Sequence, residues 1–317
     1  LFGEILEALA KHGNWPMINH VAGLLEEAQE LCPDLSEEHK KKLSSLFDSL
    51  QRPEHIKAIE AVLNNDPNIK TEGLQDFLLQ LKPQAVPALC TLLANLESQV
   101  HRAIVSEALS KLAKDSPEPL VRGLSDRRPH YVLSLISIIG KLNNPRLAEP
   151  LEKLVQHPDG QIRKEAVRVL GALSPSGNAN KLIAFLNDSE ESVRLAALKV
   201  LTTGKYTAPF TAWSPIITHK QFMERSLAEK RSLYQAMRQT AGEEAVPYWH
   251  QLVTQWLWTD GKRKEELGAL AAEALGKVGT PTAISSLEAG KKRTNRAIRH
   301  ACTTALAALA KQQRAKG

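Results

Sequence analysis

Two tryptophans and an aspartate invite a chemical reading first. Trp249 and Trp256 are seven residues apart and so share one face of a helix, and Asp260 follows Trp256 by four. Indoles beside a carboxylate could stack a base and stabilise a cationic sugar. Against this, Asp260-Gly261 also reads as a turn. Other chemistry finds less support. The chain has no Walker loop, no Gly-x-Gly-x-x-Gly, no Gly-x-Ser-x-Gly and no His-Glu-x-x-His. The ten histidines are scattered, with no close pair at metal-ligand spacing. Acidic pairs such as Glu190/Glu191 and Glu265/Glu266 are adjacent, so on a helix they point about 100° apart and do not converge on one substrate atom. No catalytic, cofactor-binding or metal-binding residue is assigned.

The cations are better organised. Lys292, Arg296 and Arg299 fall four and three apart on one helical face, a stripe suited to phosphates. No aromatic residue interleaves with it, which argues against single-strand binding. Arg102, Arg163, Arg194 and Arg299 recur at equivalent places in a repeated phrase, and Asp159 and Asp188 stand in the turns between copies. Arginines stacked in this way are expected to form a structural ladder. Lys164, Arg168 and Lys199 lie on the free face of the same helices and are the expected partner-binding cations.

The elements that carry these residues repeat. Ile162-Arg163-Lys164-Glu165-Ala166-Val167-Arg168-Val169-Leu170-Gly171 returns as Val193-Arg194-Leu195-Ala196-Ala197-Leu198-Lys199-Val200-Leu201, and again from Ile298-Arg299 to Leu306. A small residue closes each copy at Ser110, Gly140, Gly171, Thr202, Gly276 and Ala307, at intervals of 30 or 31 except for one gap of 74 around a marker near Arg238. First helices begin near Pro87, Pro119 and Pro150, with Lys181 starting the fourth, because proline is tolerated in the first helical turn. Polar turns such as His157-Pro158-Asp159-Gly160 stop one helix and cap the next. The predicted fold is all-α: a right-handed α-solenoid of antiparallel helix pairs, with about 7 repeats and an N-terminal helical cap.

The Val-Arg-x-x-Ala-x-x-Val-Leu-Gly phrase resembles the HEAT-repeat family, in the short form named for phycobilisome lyases, over roughly residues 74–310. The Pro-x-Leu starts are also similar to armadillo and tetratricopeptide arrays, but the 34-residue period and aromatic signature of the latter are missing. The resemblance implies arginines paired with acidic turn residues of neighbouring repeats. Within this family, the Trp249, Trp256 and Asp260 constellation is similar to the cleft of HEAT-type alkylpurine DNA glycosylases, and the subfamily name suggests a bilin lyase. These are the enzymatic alternatives.

Five segments are expected: 1–66, an N-terminal helical cap or the end of a preceding domain; 67–204, regular repeats; 205–216, an inserted loop; 217–311, C-terminal repeats; and 312–317, a basic tail. The insertion breaks the array with Pro209, Pro215 and the rings of Tyr206, Phe210 and Trp213. Insertions in such arrays gather on the binding face, so these three rings join the expected partner-binding set, while packing into irregular stacking is the competing account.

Charge is uneven: residues 1–66 hold 6 basic against 12 acidic side chains, whereas 262–317 hold 12 basic against 4 acidic. An acidic front and basic tail suggest a polar partner. No run of eighteen apolar residues provides a membrane span, and the start has no signal-peptide core. Cys32, Cys90 and Cys302 are distant and odd in number, reading as small buried hydrophobes of a reducing compartment. The chain opens on Leu1, which suggests a piece of a longer polypeptide. The expected function is a non-catalytic, cytoplasmic protein-interaction scaffold, without cofactors, in a bacterial regulatory protein. Its partner would be a protein or a neighbouring domain of the same chain. Nucleic-acid binding through the basic C-terminal repeats is the alternative.

Overall fold

The computed structural model describes residues 2–31, 36, 38, 52–66, 69–255 and 261–315. The chain divides into two compact units, residues 1–154 and 155–317. Both are built from antiparallel helix pairs, and the fold is an all-α solenoid.

In the first unit, two rows of helices stack. First helices Phe2–Lys11, Pro53–Asn65, Val86–Asn95 and Glu118–Gly123 contact one another in that order. Second helices Trp15–Leu31, Leu74–Leu79, Gln99–Leu112 and Pro129–Leu142 do the same. The prolines sit where expected, Pro87 and Pro119 each in the first turn of their helices. The core is aliphatic, with Ile56, Ile59, Leu63, Leu89, Leu93, Val105 and Leu135 fully buried and Trp15 stacked on Phe77 at 5.6 Å. The boundary expected at residue 66 cuts through this packing. Pro53–Asn65 is an ordinary member of the first-helix row, because its Ile56, Ile59 and Leu63 stripe packs on Val86–Asn95. In the first helix the buried stripe runs through Leu6 and Ala10, and Ile5 is 44% exposed.

In the second unit, second helices Gly160–Leu173, Glu191–Thr203, Leu227–Ala241, Gly261–Val278 and Arg296–Arg314 form a row in which each touches the next. First helices Asn180–Ala184, Val246–Thr254 and Pro281–Lys291 lie behind them. Polar caps start the second helices: Asp159 accepts from the Gln161 N–H at 2.8 Å, and Asn295 from the Ile298 N–H at 3.0 Å. Small residues close all of them except Leu227–Ala241, as the repeat spacing predicts. A Cβ placed on Gly171 would lie 2.5 Å from Val200 Cγ1, and one on Gly276 would lie 2.9 Å from Ala305 Cβ, so the next helix can approach only where the side chain is absent.

The insertion opens with a strand, which the helical periodicity did not predict. β1, Ser176–Asn178, pairs in parallel with β2, Lys205–Thr207. Each strand directly follows a second helix, so stacking two copies of the repeat brings them side by side. Three residues are too few to show a period of two in sequence.

Candidate functional site

The helices Gly160–Leu173 and Glu191–Thr203 enclose an open groove of about 620 Å³. Its apolar floor includes Ala172, Leu195, Ala196, Val200 and the edge of Tyr206. Lys164, Arg168 and Lys199 stand on its rim, so the fold gathers the three predicted cations from two successive copies. Lys164 and Lys199 are exposed, and their ammonium groups make no ion pair or hydrogen bond among the described residues. Arg168 differs: its Nε donates to Glu165 Oε2 at 2.9 Å, and donating to that carboxylate raises its already high pKa. Leu195 was not singled out by sequence reasoning, although it is 42% exposed at the centre of this face. An apolar residue directly after the repeated arginine was the available signal.

The arginines at the repeated position share a common geometry. Arg102, Arg163, Arg194 and Arg299 each use Nη1 to donate to the carbonyls six and five residues earlier, closing the turn that precedes their helix. The pairs are Leu96 and Glu97 at 2.9 and 2.6 Å, His157 and Pro158 at 2.8 and 3.0 Å, Asp188 and Ser189 at 2.9 and 3.1 Å, and Arg293 and Thr294 at 3.3 and 3.4 Å. Two rungs add a fork to the next repeat. Arg163 Nε and Nη2 grip Asp188 at 2.6 and 2.8 Å, and Arg194 Nε and Nη2 grip Glu229 at 2.7 and 3.1 Å. Burial alone would raise the Asp188 carboxyl, but the bonds from Arg163 and the Glu190 N–H hold it below the usual carboxylate range.

Residues 117–202 match the family model of HEAT repeats. That stretch of the chain carries HEAT repeats. No curated protein matches the chain. Among solved structures it is similar to an engineered protein at 15% identity, with 97% of this chain and 84% of that chain covered and a TM-score of 0.33. It is also similar to human deoxyhypusine hydroxylase in complex with glycerol at 17% identity, covering 83% of this chain and 98% of that chain, with a TM-score of 0.31.

Several expectations for the repeat array are corrected by the packing. Asp159 is a helix cap and grips no arginine, because its carboxylate is turned to the amides of its own helix. The acid that completes the Arg194 rung is Glu229, displaced beyond the insertion. The rung after it is Lys230, whose Nζ donates to the Met223 carbonyl at 2.9 Å and lies 3.8 Å from Glu266. Sequence reasoning missed it because a lysine stands where the phrase has arginine. Among the expected ring anchors, Trp213 is fully buried, and its Nε1 donates to Thr240 Oγ1 at 3.1 Å. Tyr206 is 5% exposed, donates its hydroxyl to the Ser174 carbonyl at 2.6 Å, and has its pKa raised by burial. Phe210 is half-buried against Tyr248, with ring centroids 5.6 Å apart. The insertion therefore fills the irregular step with rings, and only the edge of Tyr206 reaches the groove.

Trp249 is wholly buried beside Tyr234, with no face free to stack a base. Trp256 and Asp260 lie outside the described residues, as does Cys32. Cys90 and Cys302 are buried, and burial lifts both thiols to about 11. In the terminal stripe, Lys292 and Arg296 precede Arg299, whose Nη1 is committed to its turn carbonyls. Among the described residues, no helix is long and apolar enough to cross a membrane. Among the described residues, no three His, Cys, Asp or Glu side chains gather as metal ligands would.

Proposed function

We propose that this chain is a non-catalytic protein-interaction scaffold, and that its contact site is the groove of Lys164, Arg168, Leu195, Lys199 and Tyr206. One observation carries the reading: two unpaired lysines and an arginine rim an apolar floor that exposes Leu195. The fitting partner is an acidic segment of a protein, or of a neighbouring domain, that buries an apolar side chain beside Leu195 and sets carboxylates against Lys164 and Lys199. The groove is held by ladder bonds before any partner arrives, which keeps the ordering cost of association low.

A photo-crosslinking residue at position 195 of the full-length protein tests this in its own cell. A discrete crosslinked protein is expected, and the Lys164→Glu/Lys199→Glu variant should lose it. The same product in that variant would remove the groove from the interface. Turnover of a small substrate by the purified protein, with no crosslinked product, would overturn the scaffold reading.

Binding of nucleic acid through Lys292, Arg296 and Arg299 is the second reading. It has less support, because Arg299 Nη1 is committed to the Arg293 and Thr294 carbonyls, the turn-closing role shared with Arg102, Arg163 and Arg194.

A further inference from the structure

The position that closes each second helix carries a small residue at Ser110, Gly140, Gly171, Thr202, Gly276 and Ala307, but Arg238 occupies it in Leu227–Ala241. A guanidinium there keeps the next helix from approaching as it does at Gly171 and Gly276. The result is a crevice of about 60 Å³ between Leu227–Ala241 and Gly261–Val278, lined by Arg238 and, opposite it, Ala274. That is room for one carboxylate or phosphate group, since a liquid water claims about 30 Å³.

The charges of this crevice do not balance. Arg231, Arg238 and Lys277 line it together with a single carboxylate, Glu273. Glu273 is already divided, Oε2 lying 3.3 Å from Arg231 Nε and Oε1 2.7 Å from Lys277 Nζ. Arg238 Nε is buried and has no hydrogen-bond partner among the described residues. A guanidinium cannot shed its proton, and a buried donor left unmade is costly, so the group is set for an acceptor from outside. The crevice also opens onto an apolar groove of about 580 Å³ between Gly261–Val278 and Arg296–Arg314, which shares Arg231, Leu270, Glu273 and Lys277 with it. Leu227, Ala301, Ala305 and Leu309 supply its apolar wall, Glu266 and His300 also line it, and Leu227 is 44% exposed. The volume falls in the range of small-ligand pockets, about 300–1,000 Å³.

We propose that these two spaces form one binding site for a small amphiphilic oxyanion. Its carboxylate or phosphate group sits at Arg238 between Arg231 and Lys277, and its apolar stem lies along Leu227, Leu270, Ala305 and Leu309. The site is separate from the Lys164–Lys199 groove, and its ligand does not depend on the scaffold reading.

The test titrates the whole chain with hexanoate, hexyl phosphate, inorganic phosphate and hexan-1-ol, followed by calorimetry and by the Arg238 Nε–H resonance. Saturable binding of hexanoate or hexyl phosphate is expected, and the tighter of the two identifies the head group. Hexyl phosphate should bind at least about tenfold tighter than inorganic phosphate, since each buried methylene is worth roughly fourfold; equal affinities would remove the groove from the site. Hexan-1-ol binding as tightly as the anions would remove the oxyanion. Arg238→Gln should weaken binding at least tenfold, while Glu273→Gln, which deletes the competing carboxylate, should strengthen it several-fold. Absence of saturable binding, or unchanged affinity in Arg238→Gln, overturns the proposal. If Arg238→Gln does not fold, the exposed pair Arg231→Ala/Lys277→Ala decides: a loss of threefold or more is expected, and no change refutes the site.

Discussion

The guanidinium of Arg194 grips the Glu229 carboxylate with both Nε and Nη2, at 2.7 and 3.1 Å, across 35 residues of sequence. Glu229 is 1% exposed and also lies 3.6 Å from Arg225 Nη1, so one buried carboxylate answers the part-buried Arg194 and the buried Arg225. Removing a single partner of such a group leaves uncompensated buried charge. Glu229→Ala should therefore destabilise by about 3–5 kcal/mol in chemical unfolding. Arg102→Ala, which loses only bonds to the turn carbonyls at Leu96 and Glu97, should cost about 1 kcal/mol. Equal losses would mean that the fork to the next repeat contributes nothing beyond closing the turn.

Gly171 and Gly23 make a matched pair. Both are helical, and alanine is favoured over glycine in a helix interior by about 1 kcal/mol. At Gly23 a Cβ meets nothing within 4 Å, so Gly23→Ala should raise the unfolding midpoint. At Gly171 it would lie 2.5 Å from Val200 Cγ1, and overpacking of about 1–3 kcal/mol should outweigh the propensity gain. A gain at both positions would mean that the helices at Gly171 are free to move apart.

Acid should loosen the first unit through one carboxylate. The hydrogen bonds and charge of Arg128 pull the Asp126 carboxyl from 3.8 down to about 2. A group depressed in the folded state stabilises it above the unfolded pKa and loses that contribution as pH falls through the folded one. The loss should fall between about pH 4 and pH 2, and Asp126→Asn should flatten the stability curve there. An unaltered curve in the variant would show that the Asp126–Arg128 pair adds nothing.

The terminal stripe can be judged by salt. If Lys292 and Arg296 contact phosphates, affinity for random duplex DNA should fall steeply with ionic strength, and reversing both to Glu should reduce the slope by about two. The same slope in the variant, measured by fluorescence anisotropy, would exclude the stripe.

The repeat itself was legible from Ile162-Arg163 and Val193-Arg194, because a helix pair that must bury the same face each time reuses the same residue types. The caps and the small closing residues were legible for the same reason: they answer to local backbone demands. The rim of Lys164, Arg168 and Lys199 could be read from register alone. The aromatic insertion could not. Tyr206, Phe210 and Trp213 have the same composition whether they face a partner or fill a gap, and only the packing of Trp213 on Thr240 decides between the two.

By itself, then, the sequence determined the helical period, the turn chemistry and the positions at which arginine or glycine recurs, since all of these follow from contacts within about one repeat. The tertiary structure decided which carboxylate completes each arginine fork, which rings are core, and that Arg238 lines a crevice where other copies allow close approach. Those outcomes depend on how far one repeat is shifted against the next. In this chain the insertion lies between the partners of the contacts 35 and 39 residues apart, and such contacts leave no periodic signal in sequence.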